Sequence, residues 1–321
     1  MKTVRHNRPF RWRALALLSA AVLFAAACGD DDDDAATEDT AADDTAADDD
    51  AAADGALAQF QEDGVTIGIA NEVPYGFEDE SGEATGEAPE LAREVFSRLD
   101  IEITGFEVVD FGALIDGLNV GNYDVIAAGM FITPERAENA LFSQPDYCGT
   151  TAFAVPEGNP AGLTDFESVT DAGVTLGVLS GAVEEGYAMD LGVPEDQITS
   201  LPEVPDLFDA LDAGRVEAVA LTSITVRTQT AEMDGFEATD GFVPVIDGEE
   251  QLGCGAFAFT YDNLELRNAF TEELIAMQEA GEVLPIIEEF GWAQEDVDLA
   301  AEQTANDLAG GAYDDLDLVE G

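Results

Sequence analysis

Apolar residues between positions 65 and 137 follow two alternating spacings. Short, mostly apolar segments, typical of buried strands, occur at residues 65–70, 106–109 and 124–129. Between them, apolar residues recur at the spacing of an amphipathic helix, as in Ala92, Val95, Phe96 and Leu99 and again in Phe111, Leu114, Ile115 and Leu118. Thr133 and Pro134 have the residue types of a helix N-cap and first turn. The predicted order is strand and helix, three times over.

The same order returns in residues 174–233. Strands are predicted at residues 174–179, 198–201 and 216–221, and helices at residues 182–191, 204–211 and 223–233. Strands that alternate with helices pair in parallel, and such sheets place their ligand crevice at the carboxyl ends of the strands. We therefore expect two similar α/β lobes, each with its own sheet.

Two extended apolar segments, residues 147–155 and 253–260, are predicted to cross between the lobes. Helices at residues 266–277 and 283–290 follow the second crossing. The predicted division is lobe 1 at residues 61–147 and 256–295, lobe 2 with the hinge strands at residues 148–255, and an acidic C-terminal tail at residues 296–321. Paired crossings between two lobes predict a hinged cleft, a common place for a small-molecule site.

The chain is strongly acidic, since 70 Asp and Glu residues against 11 Lys and Arg give a formal charge of −59. This charge disfavours nucleic acid and anionic membranes as partners and indicates adaptation to high salt, which screens self-repulsion. Lys2 is the only lysine and His6 the only histidine, and both lie in a segment that we expect to be removed. A Ser-His-Asp triad, a His-ligated zinc and a Schiff-base lysine are therefore excluded, and no metal or cofactor is predicted. In so acidic a chain, the neighbouring Glu184 and Glu185 carry little information.

The N-terminus has the composition of a secretory signal peptide over residues 1–27. Residues 1–13 are basic, and residues 14–27 form an apolar run too short to span a bilayer. The run ends in FAAAC, which resembles a lipoprotein lipobox and predicts lipidation of Cys28; ordinary cleavage after Ala27 is the alternative. Residues 28–60 are predicted to be an acidic disordered tether, so the folded part is expected outside the cytoplasm, anchored to the outer face of the cell membrane by the lipid alone.

Two further cysteines, Cys148 and Cys254, lie one in each predicted crossing. In an exported protein, two cysteines in adjacent strands favour a disulfide bond. The alternative is a pair of buried free thiols. Without a histidine or another cysteine, they would make a poor zinc site.

Several motifs resemble the extracellular solute-binding proteins of amino-acid-type ABC importers, family 3. They are GEAPELAREVFSRL at residues 86–99, NVGNYDVIAAGMFITPERAENALFSQPDY at 119–147, LGVLSGAVEEGYA at 176–188 and AGRVEAVALT at 213–222. The resemblance covers residues 65–292. It implies an α/β, two-lobed periplasmic-binding-protein-like fold of type II, hinged by two crossing strands. It also implies a monomeric, non-enzymatic protein that captures a solute by closing its cleft and delivers it to ABC permease subunits.

The resemblance also implies which residues bind the ligand. Family arginines that match Arg136 clamp a carboxylate, which suits the planar guanidinium fork. Phe131 replaces the small hydroxyl residue usual in the family, and Thr222 replaces the usual aspartate that meets an α-ammonium group. Family members that bind ectoine and hydroxyectoine are the ones most similar to the segments ANEVPYGF, VDFGALI, AAGMFITPER, DYCGTTAFAV and GCGAF. That similarity places Tyr75, Phe111 and Phe131 in an aromatic cage around the ligand cation.

The same similarity implies that Glu72 accepts an amidinium N–H of the ligand. Ser180 and Gly181 open a helix whose N–H groups are expected to reach the ligand carboxylate. Two of the cage residues also have simpler interpretations. Phe111 is in phase with a helical stripe and could be a core residue, and Tyr75 could lie in an ordinary turn.

Two other functions remain open from the sequence. The cleft could bind a different zwitterion, either an amino acid or a betaine; Thr222 disfavours standard α-amino acids, and a betaine would not need Glu72. Some proteins of this fold are dehydratases that act on cyclic carboxylates. Such an enzyme would have to use carboxylates or tyrosines as its acid and base.

Overall fold

A computed structural model describes residues 49–321 of the chain. The α-helices are α1 (Asp49–Asp63), α2 (Glu87–Arg98), α3 (Leu114–Asn119), α4 (Pro134–Ala137), α5 (Phe166–Ala172), α6 (Val183–Asp190), α7 (Val204–Asp212), α8 (Ser223–Ala231), α9 (Leu264–Ala280), α10 (Leu284–Ile287), α11 (Gln294–Ala301) and α12 (Ala305–Leu308). The strands are β1 (Val65–Ile69), β2 (Phe77–Glu78), β3 (Ala84–Thr85), β4 (Ile103–Val108), β5 (Val125–Phe131), β6 (Leu141–Phe142), β7 (Tyr147–Gly149), β8 (Thr151–Pro156), β9 (Leu176–Leu179), β10 (Ile198–Leu201), β11 (Ala218–Thr222), β12 (Phe236–Ala238), β13 (Val245–Ile246), β14 (Glu249–Glu250) and β15 (Gly253–Phe259). Short 3-10 helices lie at Phe111–Ala113, Glu195–Gln197, Tyr261–Asn263 and Glu288–Phe290.

The first lobe is built on a sheet of order β4-β1-β5-β15-β6, with β7 paired to β15. Strands β4, β1 and β5 are parallel, as the alternation of strands and helices predicts. Strand β15 arrives from the other lobe and pairs antiparallel with β5, so the sheet is mixed. The carboxyl ends of the three parallel strands therefore lie together at one edge, which is where a ligand crevice is expected.

The second lobe repeats this plan in a sheet of order β10-β9-β11-β8-β12. Its strands β10, β9 and β11 are parallel, and β8 is antiparallel to β11. The chain changes sheet between β7 and β8, and it returns to the first sheet at β15. The strands thus change sheet a few residues from the predicted boundaries at residues 147–148 and 255–256, and the two-lobed α/β fold class is confirmed.

The hinge carries the two cysteines of the described part. Cys148 in β7 and Cys254 in β15 are directly paired residues of the first sheet, and a disulfide bond joins them. Ala300 of α11 is buried against this bond. The cysteines therefore belong to the first lobe's sheet at the point where both crossings leave it, rather than to the second lobe.

The predicted tether is wrong for its last residues, because α1 begins at Asp49. Leu57 and Phe60 pack against the first lobe's core, and the Gln61 side-chain amide donates to the Leu99 carbonyl at 2.9 Å. The prediction followed overall composition, whereas these two apolar residues are enough to dock one helix. The predicted signal peptide, Cys28 and the remainder of the tether lie outside the described residues.

The predicted C-terminal tail is also wrong, because residues 294–321 pack on the first lobe. Tyr313 is buried, and its hydroxyl donates to the Ala140 carbonyl at 2.7 Å. The buried Arg267 guanidinium donates to the Val319 carbonyl at 2.7 Å. The acids of this segment are mostly exposed, whereas Val297 and Ala300 between them are buried. The acidic composition of the segment does not show which of its residues face the core, so the packing could not be predicted from it.

No helix within residues 49–321 combines the length and the apolar character that crossing a bilayer requires.

Candidate functional site

The candidate site lies between the lobes, at the carboxyl ends of the first lobe's parallel strands. Five side chains predicted for the first lobe line one small cavity there. They are Glu72, Tyr75, Phe111, Phe131 and Arg136. The first two follow β1, Phe111 follows β4, Phe131 ends β5, and Arg136 lies on α4. Successive parallel strands thus deliver each of these groups to the same edge of the sheet.

The aromatic wall is larger than the sequence predicts. Tyr75 lies with its ring centroid 5.4 Å from that of Tyr147 and 5.1 Å from that of Trp292, and the Phe131 centroid is 6.2 Å from that of Tyr147. All four rings are at least nine-tenths buried. Tyr147 and Trp292 do not line the cavity but support the two rings that do. Sequence reasoning missed them because they reach the site only through the folded crossing and the C-terminal region.

Glycines leave room for these rings. A Cβ atom at Gly129 would lie 2.2 Å from the Tyr75 ring, and one at Gly253 would lie 2.0 Å from the Phe131 ring. Both distances are shorter than any real carbon contact, so a larger residue at either position would displace a ring. The rings are therefore held in place by packing before any ligand arrives. The glycines of the GCG motif at residues 253–255 are the sequence signal for this packing.

Arg136 connects the two lobes. Its Nη1 donates to the Phe131 carbonyl at 2.7 Å, and its Nη2 donates to the Gly181 carbonyl of the second lobe at 2.9 Å. The guanidinium carbon lies 5.4 Å from the Phe111 ring centroid, within cation–π range. Burial lowers the pKa of Arg136, and the nearby Glu184 carboxyl opposes that shift. An arginine remains charged under these conditions, so the cavity contains one fixed cation.

Glu72 connects the lobes on the other side of the cavity. Its Oε1 accepts a hydrogen bond of 2.8 Å from the Thr225 hydroxyl of α8, and Thr225 lies 3.1 Å from the Thr222 hydroxyl. Burial raises the pKa of Glu72 to about 8; the Thr225 hydrogen bond opposes this shift, and Glu184 adds to it. In the closed form without a cationic partner, Glu72 is therefore largely uncharged at neutral pH.

Glu184 is the second carboxyl group of the cavity. It lies in the first turn of α6, is only 2 % exposed and lines the same cavity as Glu72 and Arg136. Burial raises its pKa, and the Arg136 charge counteracts the shift. The sequence showed no reason to choose it among 70 acidic residues. Its importance follows from its position alone.

The predicted anion receptor at Ser180 and Gly181 is not free in this structure. The Ser180 N–H donates to the Leu201 carbonyl at 2.8 Å, and the Gly181 N–H donates to Glu185 Oε2 at 2.8 Å. Gly181 takes part through its carbonyl, which accepts from Arg136, and Ser180 does not line the cavity. Of the predicted second-lobe residues, Thr222 lines the cavity.

The lobes are closed on one another in this structure. A Cβ atom at Gly181 would lie 2.7 Å from the Cα of Gly112, so the two backbones touch across the cleft. The cavity between the lobes has a volume of about 20 Å³, which is room for one water molecule. A wider cleft of about 940 Å³ shares Phe111 and Arg136 with it. A small organic ligand therefore requires the lobes to part before they close around it.

The arrangement is suited to binding a small molecule that carries opposite charges. It offers one guanidinium, two buried carboxyl groups and an aromatic wall, enclosed by two hinged lobes. Within residues 49–321, no group of three or more His, Cys, Asp or Glu side chains is placed to hold a metal ion. These features define the class of hinged solute-binding proteins.

The comparisons with known proteins agree with this class. Residues 65–293 match the family of bacterial extracellular solute-binding proteins, family 3, and the chain belongs to it. A probable amino-acid ABC transporter periplasmic-binding protein from Sinorhizobium fredii is 32 % identical over 76 % of this chain and 82 % of its own length.

Solved structures with a similar fold include two whose bound ligands are known. EhuB in complex with hydroxyectoine has a TM-score of 0.71 and is 32 % identical, covering 79 % of this chain and 97 % of its own. An ancestral arginine-binding protein bound to glutamine has a TM-score of 0.62 and is 26 % identical, covering 71 % and 97 %. The chain is therefore an extracytoplasmic solute-binding protein of an amino-acid-type ABC transporter, and its named relatives support a binding rather than an enzymatic role.

Proposed function

We propose that this protein captures ectoine or 5-hydroxyectoine for import by an ABC permease. Ectoine joins a carboxylate to a delocalised amidinium cation in one small ring. The observation that carries the proposal is the cavity itself, where Arg136, Glu72 and the rings of Tyr75, Phe111 and Phe131 converge. EhuB, the structural neighbour in complex with hydroxyectoine, supports the same ligand class.

Each group has a distinct role in this proposal. The Arg136 fork binds the ligand carboxylate, which replaces the carbonyl that Nη2 now contacts. The aromatic faces attract the delocalised cation, each contributing about 0.5–2 kcal/mol depending on desolvation. Glu72 accepts an N–H of the amidinium and becomes charged as it does so. Closure of the second lobe then buries the ligand, and the closed form docks on the permease.

A second candidate ligand is a cationic amino acid. Two buried carboxyl groups, Glu72 and Glu184, face one arginine in the cavity, so a ligand with a net positive charge would balance them. The similarity to an ancestral arginine-binding protein supports this reading. Thr222 disfavours it, because the position has no carboxylate for an α-ammonium group.

The test is a thermal-shift panel on the purified mature protein in molar salt. Ectoine, hydroxyectoine, glycine betaine, arginine and glutamine are added separately at millimolar concentration. We expect the two ectoines to raise the unfolding midpoint most, because a ligand that binds only the folded state stabilises it. A midpoint that rises with arginine alone would replace the proposal by the second candidate.

We further propose that Cys28 carries a lipid that anchors a monomeric protein to the outer face of the membrane. The support is the lipobox-like FAAAC sequence after an apolar run. Mass spectrometry of the mature N-terminus tests it. A diacylglycerol adduct on Cys28 is expected, and an unmodified N-terminus in a membrane-free fraction would contradict it.

A further inference from the structure

We propose that Glu184 binds the ligand directly, as a second carboxylate that accepts an N–H of the ligand cation from the second lobe, opposite Glu72. The inference rests on the proposed function only in that the cavity takes a small ligand with a cationic N–H group. It adds a specificity-determining residue that neither the motifs nor the family resemblance points to.

The first support is that the buried Glu184 side chain forms no ion pair with any described residue. Glu184 is only 2 % exposed. The Thr151 hydroxyl donates a long hydrogen bond of 3.4 Å to its Oε1. The ion pairs among residues 49–321 involve Arg93 and Arg98, and none includes Glu184. A buried carboxylate that forms no ion pair is costly, so its position at a cavity suits a cationic group supplied by the ligand.

The second support is the charge balance of the cavity. The ionisable groups facing Glu184 are Arg136 from α4, Glu72 from the segment after β1, and Tyr187 on its own helix. When the Arg136 charge is taken up by a ligand carboxylate, neither carboxyl group has a positive partner within the protein. A cation placed between Glu72 and Glu184 satisfies both.

The third support is the position of the two carboxyl groups on opposite lobes. Glu72 belongs to the first lobe and Glu184 to the second, and both line the same cavity. An amidinium has two N–H groups in one plane and can donate to both at once. A quaternary ammonium has none. Glu184 would therefore favour amidinium-type ligands over betaines, a distinction that the aromatic wall cannot make because it attracts both.

The test compares Glu184→Gln with Glu195→Gln by titration calorimetry, using ectoine and glycine betaine as probes. Glu195 is an exposed acid of the same lobe, so its replacement removes the same charge far from the cavity. We expect E184Q to weaken ectoine binding about 10- to 100-fold, the usual cost of losing a hydrogen bond to a charged group. Betaine binding should change less than about 3-fold, and E195Q should leave both affinities unchanged.

A ligand-free thermal scan separates binding from folding. E184Q removes a buried carboxyl group that forms no ion pair in the described part of the chain, so its unfolding midpoint should be equal to or above that of the wild type. A lower midpoint with equal losses for both ligands would overturn the inference, as would an unchanged ectoine affinity. If E184Q does not fold, Glu184→Asp keeps the charge but withdraws it by one methylene, and an unchanged ectoine affinity in that variant would equally overturn it.

The same experiment distinguishes this inference from the proposed function. If the wild type binds arginine and not ectoine, the proposed function fails. The Glu184 variants are then titrated with arginine. A 10-fold or greater loss would retain Glu184 as a ligand-binding carboxylate, and no loss would reject it.

Discussion

The two lobes share one fold plan but contribute to the cleft in different ways. The first lobe supplies the guanidinium, one carboxyl group and the whole aromatic wall, and its rings are fixed against glycines such as Gly129 and Gly253. The second lobe supplies hydroxyls, Glu184 and the Gly181 carbonyl. The first lobe is therefore a preformed binding surface, whereas the second acts only when the cleft closes.

The contacts across the cleft also separate a first lobe that binds from a second lobe that acts on closure. The Arg136–Gly181 and Glu72–Thr225 hydrogen bonds each join a first-lobe side chain to the second lobe. Such bonds exist only in the closed form, and a ligand whose own contacts in the closed form exceed those it replaces shifts the population towards closure. Changes in the first lobe should thus affect intrinsic affinity, and changes at the lobe junction should affect closure.

The largest expected effect is the loss of ligand binding in Arg136→Ala. Removing the cation leaves the ligand carboxylate buried without a partner, which costs roughly 2–5 kcal/mol, or about 30- to 5000-fold in Kd. Titration calorimetry with ectoine measures this change. Arg215→Ala, at an exposed site, is the matched control and should bind as the wild type does. A loss below 5-fold in R136A would break the assignment of the carboxylate site.

The next effect concerns the pH dependence of stability. Glu72 has a pKa near 4.5 when unfolded and about 8 in the closed fold, so the native state binds more protons. Its favourable contribution is complete below pH 4.5 and is lost as pH rises through 8. We expect ligand-free stability to fall by about 2–4 kcal/mol over that window from this group.

Glu72→Gln isolates this contribution, because the amide oxygen can still accept the Thr225 hydrogen bond. Burial also raises the pKa of Asp146, to about 6, and that of its neighbour Glu87, so the variant should retain part of the pH dependence. Denaturant unfolding at pH 5 and pH 8 measures the difference between wild type and variant. An equal change in the free energy of unfolding between pH 5 and pH 8 in the two proteins would show that Glu72 is already charged in the ligand-free protein.

A smaller effect is expected where the lobes meet. Gly181→Ala places a methyl group 2.7 Å from the Cα of Gly112 and should hold the cleft partly open, weakening ectoine binding about 10-fold. Gly192→Ala is the control, because Gly192 has a similar positive φ in the same lobe but open space around it. Both variants should lose about 1 kcal/mol of stability from the backbone conformation. Equal ectoine affinities in the two would contradict a role for this contact in closure.

The smallest effect is expected in the aromatic wall. Phe131→Leu keeps an apolar side chain but removes the π face, so ectoine affinity should fall about 5- to 10-fold, or roughly 1 kcal/mol. Calorimetry with ectoine measures the loss, and the unfolding midpoint monitors packing. An unchanged affinity would mean that the wall acts by shape and desolvation alone.

The fold of residues 65–233 could largely be predicted because each strand and helix there has its own hydrophobic period. The strand predicted at residues 198–201 and the helix at 204–211 lie at Ile198–Leu201 and Val204–Asp212. Residues 49–60 and 296–321 could not be predicted from composition. Their few buried residues, such as Phe60 and Tyr313, are stabilised by contacts with distant parts of the chain.

The candidate site shows the same limit. Side chains at or just after the end of a strand, such as Phe131 and Glu72, could be assigned to the crevice because topology alone brings strand ends together. Tyr147, Trp292 and Glu184 have no such local signal. Each reaches the site through tertiary packing, by way of a crossing strand, the C-terminal region or the closed second lobe.

The cleft is proposed to close on a small ring with a carboxylate and a delocalised cation. Titration calorimetry of the mature protein with ectoine in molar salt tests it most directly. We expect saturable binding with a Kd in the micromolar range or tighter, corresponding to about −8 kcal/mol or a more favourable free energy. No heat of binding with ectoine or hydroxyectoine, together with tight binding of arginine, would contradict it.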